Sequence, residues 1–208
     1  MNYSSINSFI KNISRYDPED VDVAVLKLIR VGSDIDLDLL ITTEKDTQCV
    51  CQIKCLRVRA YSLNSYSFSE IALLSEHPLL WRYSDVSVSL YFNGQPTDRY
   101  RLISDLMSVH GALFSNMLPL DFFLNSEIAI QELLTRSFGF FVRGPKKLME
   151  KYAECFMKNG VEYSFVGESE PRYWNGTSFV SGIQHPEILL VGEIFVIADS
   201  FELLSSSV

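Results

Sequence analysis

An α+β fold is what this 208-residue sequence predicts: an N-terminal antiparallel β-sheet packed against a C-terminal half with about three helices, a strand–helix–strand unit and terminal β-hairpin strands. Three observations carry that expectation. From Val21 to Asn93 apolar residues recur with a period of two, and the runs are joined by connections too short for crossover helices. After Pro96 the apolar spacing becomes helical. From Phe138 to Gly167 a strand pattern, a helix pattern and another strand pattern follow in turn.

Each element has its own signal. Ile6, Phe9, Ile10 and Ile13 fall on one side of a helix over 3–14, which Tyr16-Asp17-Pro18 interrupts. Val21 to Val31 is apolar on both faces, as a central strand would be. In the next strand Ile35, Leu37, Leu39 and Ile41 alternate with Asp34, Asp36 and Asp38, so one face is apolar and the other carboxylate. Cys49, Cys51, Ile53 and Cys55 share a face, and then Leu56, Val58 and Ala60 take over. That phase change is what a β-bulge or a crossing between sheets produces. Val88, Leu90 and Phe92 mark another half-buried strand, closed by Asn93-Gly94.

Beyond the joint at 93–97 the chain is expected to form an α+β region, 96–208, against the mostly β region 1–95 with its short N-terminal helix. A joint so short predicts that the two halves pack together. Thr97 is placed to cap a helix running to about Phe114, with Leu102, Leu106 and Leu113 inward. Ser126-Glu127 opens another, to about Arg136. A third starts at Gly144-Pro145, buries Leu148, Tyr152, Cys155 and Phe156, and stops at Asn159-Gly160. Asn175-Gly176 between β-forming residues signals a tight hairpin. Ile188 to Leu204 has room for two strands broken near Gly192 or Asp199.

Composition narrows the function. With 47% hydrophobic residues the chain has material for a sizeable core, and 26 acidic against 18 basic side chains (net −8) disfavour nucleic acid as a partner. No apolar run is long enough to span a membrane, and the N-terminus lacks a signal-peptide pattern, so a soluble cytoplasmic protein is expected. Cys49, Cys51, Cys55 and Cys155 lack the paired spacing of a zinc site and read as reduced core cysteines. Asp34, Asp36 and Asp38 have the first spacings of a calcium loop, but Leu39 and Lys45 stand where it needs Gly and Glu. No metal and no cofactor is expected. His77 and His185 each precede proline, and His110 lies on or beside the buried face of its helix. No nucleophile elbow, zinc-protease helix, Walker loop or dinucleotide fingerprint occurs, so no catalytic residue is assigned.

Two places remain. Arg143, Gly144, Lys146 and Lys147 put cations where a helix start ordinarily carries acids, as an anion site would. Arg172, Tyr173 and Trp174 are residue types enriched at binding hot spots. They lie in a tail, 162–208, with seven acids against Arg172 alone. The expectation is therefore a non-catalytic interaction protein, binding or inhibitory, that prefers a basic partner. The alternative is a small-ligand or anion-binding protein or enzyme using residues 143–147.

Overall fold

The computed structural model describes residues 5–43, 48–62, 70–124, 128–174 and 177–207. It is an α+β protein, and every strand pairing within its sheets is antiparallel. In chain order the first elements are α1 (Ile6–Ile13), β1 (Val21–Val31), β2 (Asp34–Thr43), β3 (Gln48–Leu56), β4 (Ala60–Ser62), β5 (Ile71–Leu74), α2 (Trp81–Ser84) and β6 (Ser87–Asn93). There follow α3 (Arg99–Phe114), α4 (Ile130–Leu133), β7 (Phe138–Pro145), α5 (Lys146–Lys158) and β8 (Glu162–Ser169). The chain ends with β9 (Arg172–Trp174), β10 (Phe179–Ser181), β11 (Glu187–Val191), β12 (Ile194–Ala198) and β13 (Ser200–Ser207). The backbone gathers into two units, Met1–Leu80 with His185–Val208, and Trp81–Gln184. The 93–97 joint lies inside the second unit, and the last strands belong to the first.

The first unit holds two four-stranded sheets, ordered β1-β2-β3-β13 and β4-β12-β11-β5. At the start of α1 Ser5 and Ser8 exchange backbone-to-hydroxyl bonds at 3.2 Å, which satisfies two otherwise orphaned amides. Ile6, Phe9 and Ile13 then join one core with Ile35, Leu37, Leu39 and Ile41 of β2 and with Leu189, Val191 and Val196 of the second sheet. The phase change after Cys55 is a crossing between the sheets. Arg57 takes a left-handed turn (φ 52°), and the chain leaves β3 in one sheet for β4 in the other. At the same place β12 hands over to β13 through Asp199. Asp199 accepts from Arg57 Nε at 2.6 Å and Arg59 Nε at 2.8 Å, and its own amide donates to Leu56 at 3.0 Å.

Two expectations need correcting here. Ile188 to Leu204 carries three strands rather than two, because the chain breaks at both Gly192 and Asp199. And β1 is an edge strand, not a central one. Val21 and Val23 are buried, but from Leu26 onward only Leu28 is partly covered. Apolar residues on both faces describe composition, whereas burial depends on which strands come alongside.

In the second unit the sheet order is β7-β6-β8, so the strand–helix–strand run β7–α5–β8 straddles β6. On α5 Leu148, Met149, Tyr152, Ala153, Cys155 and Phe156 are all buried. Their aromatic members interlock edge to face, Phe156 with Phe141 at 4.9 Å and Tyr152 with Phe141 at 6.4 Å. The helix ends at Gly160 (φ 74°), and Asn159 Nδ2 ties it to Asp105 of α3 at 2.9 Å. The cap of α3 is Asp98 rather than Thr97: its carboxylate accepts from the amides of Tyr100 at 2.9 Å and Arg101 at 3.1 Å. A carboxylate there also suits the positive end of the helix. The helix expected to open at Ser126-Glu127 is shorter, Ile130–Leu133, and that opening lies outside the described residues. So do Glu44 and Lys45, residues 3 and 4, and the Asn175-Gly176 turn.

Candidate functional site

The basic helix start is built by β7 running straight into α5. Arg143, exposed on β7, lies across all three strands. It donates from Nη1 to Ser89 Oγ at 2.8 Å, and from Nη2 to Gly167 O at 2.9 Å and Ser169 Oγ at 2.7 Å. Gly144 is buried, with the Met149 methyl and the Phe123 ring where a side chain would project. Lys146 reaches Glu168 at 3.3 Å. The amide of Lys147, one of the free donors of the helix start, donates to Asp85 Oδ2 at 2.7 Å. The acid missing from the first turn of α5 is thus supplied by Asp85, just before β6. Arg143, Lys146 and Lys147 do converge on one end of the sheet, but protein groups already occupy Arg143, Lys146 and the Lys147 amide.

The hairpin β9–β10 is arranged differently. Trp174 pairs with Phe179 and Arg172 with Ser181, which puts Arg172, Trp174 and Phe179 on one face. A two-residue Asn175-Gly176 loop would have set Trp174 opposite Thr177, so the register is wider than that. Trp174 and Phe179 meet edge to face at 5.3 Å, and the Arg172 guanidinium lies 5.8 Å from the Phe179 ring centre. They are nonetheless 55% and 64% exposed, with Ile183 at 47% close by in sequence. Tyr173, between Arg172 and Trp174 in sequence, points to the other side and is half-buried. The sequence reading found Arg172 and Trp174 but missed Phe179. The signal was there, since Phe179 is the first β-forming aromatic after the turn.

His77 and His110 are held by protein groups. His110 is buried between α3 and α5: Nε2 lies 2.7 Å from the Leu118 carbonyl and Nδ1 2.7 Å from the Tyr152 hydroxyl. Nε2 therefore carries the proton, and Tyr152 donates to Nδ1. Burial holds His110 below the usual histidine range against the pull of Leu118 O and Asp121, and burial likewise lowers His77. His77 Nδ1 accepts from the Leu79 amide at 3.2 Å. The thiols of Cys51 and Cys55 are pushed up to about 12 by burial, reinforced by Cys49 and Asp38 at one and by Asp36 and Asp34 at the other. Such thiols are poor nucleophiles. Among the described residues no cluster of three His, Cys, Asp or Glu side chains is placed to hold a metal, and no helix is long and apolar enough to cross a membrane. Clefts of about 570 Å³, beside Asp121, Leu124 and Gln131, and about 470 Å³, beside Gln95, Asp98 and Tyr100, contain none of the predicted site residues.

No family model, curated protein or solved structure matches this chain.

Proposed function

We propose that this is a non-catalytic interaction protein of the cytoplasm that docks a protein partner through hairpin β9–β10. The supporting observation is the exposed ladder Arg172–Phe179–Trp174, two side chains of hot-spot type and a second aromatic ring stacked on one face of a two-stranded ribbon. A Trp–Phe pair left in water forgoes much apolar burial, which a partner's surface would recover. The net charge of −8 favours a basic partner by long-range attraction and disfavours nucleic acid.

The test is affinity capture from the native host, followed by direct binding of the purified candidate to wild type and to the Trp174→Ala/Phe179→Ala double variant. Loss of about 2 kcal/mol per hot spot means at least a thirtyfold weaker complex. A basic partner that binds directly and is weakened to that extent supports the reading. A partner bound equally well by the double variant removes the hairpin from the account.

A further inference from the structure

A second surface lies on the first unit, away from the hairpin's sequence and independent of it. β1 is eleven residues long and terminal in its sheet. Along its second half Leu26, Ile29 and Val31 are 55%, 41% and 59% exposed. An exposed apolar edge offers unpaired backbone groups to another strand unless something blunts it. Two charged residues are present here: one folds back onto its own chain, and the other, Lys27, is exposed opposite a carboxylate of β2. Arg30 Nε folds back onto Gly32 O at 3.2 Å, and Lys27 is the cross-strand neighbour of Asp38. The bulge between Val25 and Lys27 interrupts the ladder above this stretch and leaves Leu28 to Val31 in regular register with β2.

The flanking chemistry selects the occupant. Cross-strand neighbours of Ile29 and Val31 on β2 are Asp36 and Asp34. A strand added to the edge would run about 4.8 Å from β1 and roughly 10 Å from β2. A Lys or Arg opposite Ile29 would lay its methylenes on the isoleucine and bring its charge toward Asp36, which stands opposite Lys54 of β3 but makes no ion pair among the described residues. On the other face the added residue would lie beside Leu28, which packs against the core, and would be apolar. A second copy fits poorly. The first unit carries 15 acidic and 8 basic residues, so edge-to-edge pairing would bring two units of net −7 together.

We propose that Leu26–Val31 accepts an added β-strand from a basic partner: an extended segment with Lys or Arg at alternate positions and apolar residues between them. The probe is a blocked nine-residue peptide alternating Lys and Val, titrated into the full chain while backbone amide shifts are followed. Its Glu/Val counterpart and a copy with alternate backbone amides methylated are the controls. Shifts centred on β1 are expected for the Lys/Val peptide alone, with affinity at least tenfold weaker for Ile29→Lys and also reduced for Asp36→Asn. Both positions face solvent, and Trp174→Ala should leave the affinity unchanged, so failure of the hairpin reading and failure of this one stay separable. The proposal is overturned by an absence of β1 shifts up to millimolar peptide, by equal binding of the methylated or Glu/Val peptide, or by binding that Ile29→Lys does not weaken. A concentration-dependent dimer dissolved by Ile29→Lys would overturn it too, since the occupant would then be a second copy.

Discussion

The first unit, with 15 acidic and 8 basic residues, carries nearly all of the net charge, whereas the second has 11 and 10. Exposed large apolar side chains divide the other way: among the described residues six lie in the first unit and eleven in the second. The tail 162–208 spans both units. Glu162, Glu168 and Glu170 belong with Trp174 in the second, and Glu187, Glu193, Asp199 and Glu202 belong to the first. Most of the net charge and most of the exposed large apolar side chains are therefore borne by different parts of the chain. The interiors differ as well. The first unit is aliphatic and pinned at its sheet crossing by an ion-pair cluster, while the second is aromatic and includes the buried polar pair His110–Tyr152.

The largest expected effect separates inner from outer aromatics of the second unit. Phe156→Ala removes a fully buried ring stacked on Phe92 and edge-on to Phe141, and should cost about 3–5 kcal/mol. Trp174→Ala, on the exposed ladder, should stay within about 0.5 kcal/mol. Denaturant unfolding compares them directly. Similar losses would mean that the hairpin is part of the fold rather than an addition to its surface.

Next comes the crossing of the first unit. Asp199→Ala leaves Arg59, whose side chain is 17% exposed, without its carboxylate, and should cost about 2 kcal/mol. Arg57→Ala should cost much less, because that side chain is 72% exposed and solvent screens its pair. Equal losses would shift the role of the corner from the Arg59 pair to the turn at Arg57.

A pH series distinguishes the buried polar pair. Folded His110 takes up a proton at lower pH than the unfolded chain, whose ordinary value is 6.5. The unfolded state then binds more protons, so stability rises with pH. This contribution is complete above about 6.5 and is lost as the pH falls below it. The loss between pH 7 and pH 5 should be smaller in His110→Gln. An identical slope in both proteins would leave His77 or other groups as the source.

What the sequence made legible follows from local pattern. Period-two alternation marked β2 and β6, helical spacing marked the buried face of α5, and the phase change after Cys55 marked either a bulge or a crossing between sheets, of which the structure has the crossing. Position in the sheet was not legible, because β1 has the composition of an interior strand and only its lack of a second neighbour makes it an edge. Partners distant in sequence were hidden too. Asp199 lies 142 residues from Arg57, and the acid serving α5 comes from Asp85, 62 residues before Lys147. Thr97 and Asp98 are both good caps, and only backbone geometry decides between them.

The smallest effect concerns that helix start and tests whether residues 143–147 take an anion. Asp85→Asn keeps the shape of the side chain but removes the charge facing the Lys147 amide, and should cost about 0.3–1 kcal/mol. If Asp85 answers the demand of the helix, melting temperatures of wild type in phosphate and in chloride at matched ionic strength should agree. Asp85→Asn, with its helix start less well served, should then gain stability in phosphate relative to chloride. Lys146→Glu/Lys147→Glu should not. A phosphate gain already present in wild type and abolished by the lysine double variant would instead make the cations an anion site, because a ligand stabilises whatever folded state binds it. With Arg143 donating to Ser89, Gly167 and Ser169, and Lys146 paired with Glu168, a wild-type gain would require an anion to displace contacts the chain already makes. The expected order is therefore no gain in wild type, a small gain in Asp85→Asn and none in the lysine variant.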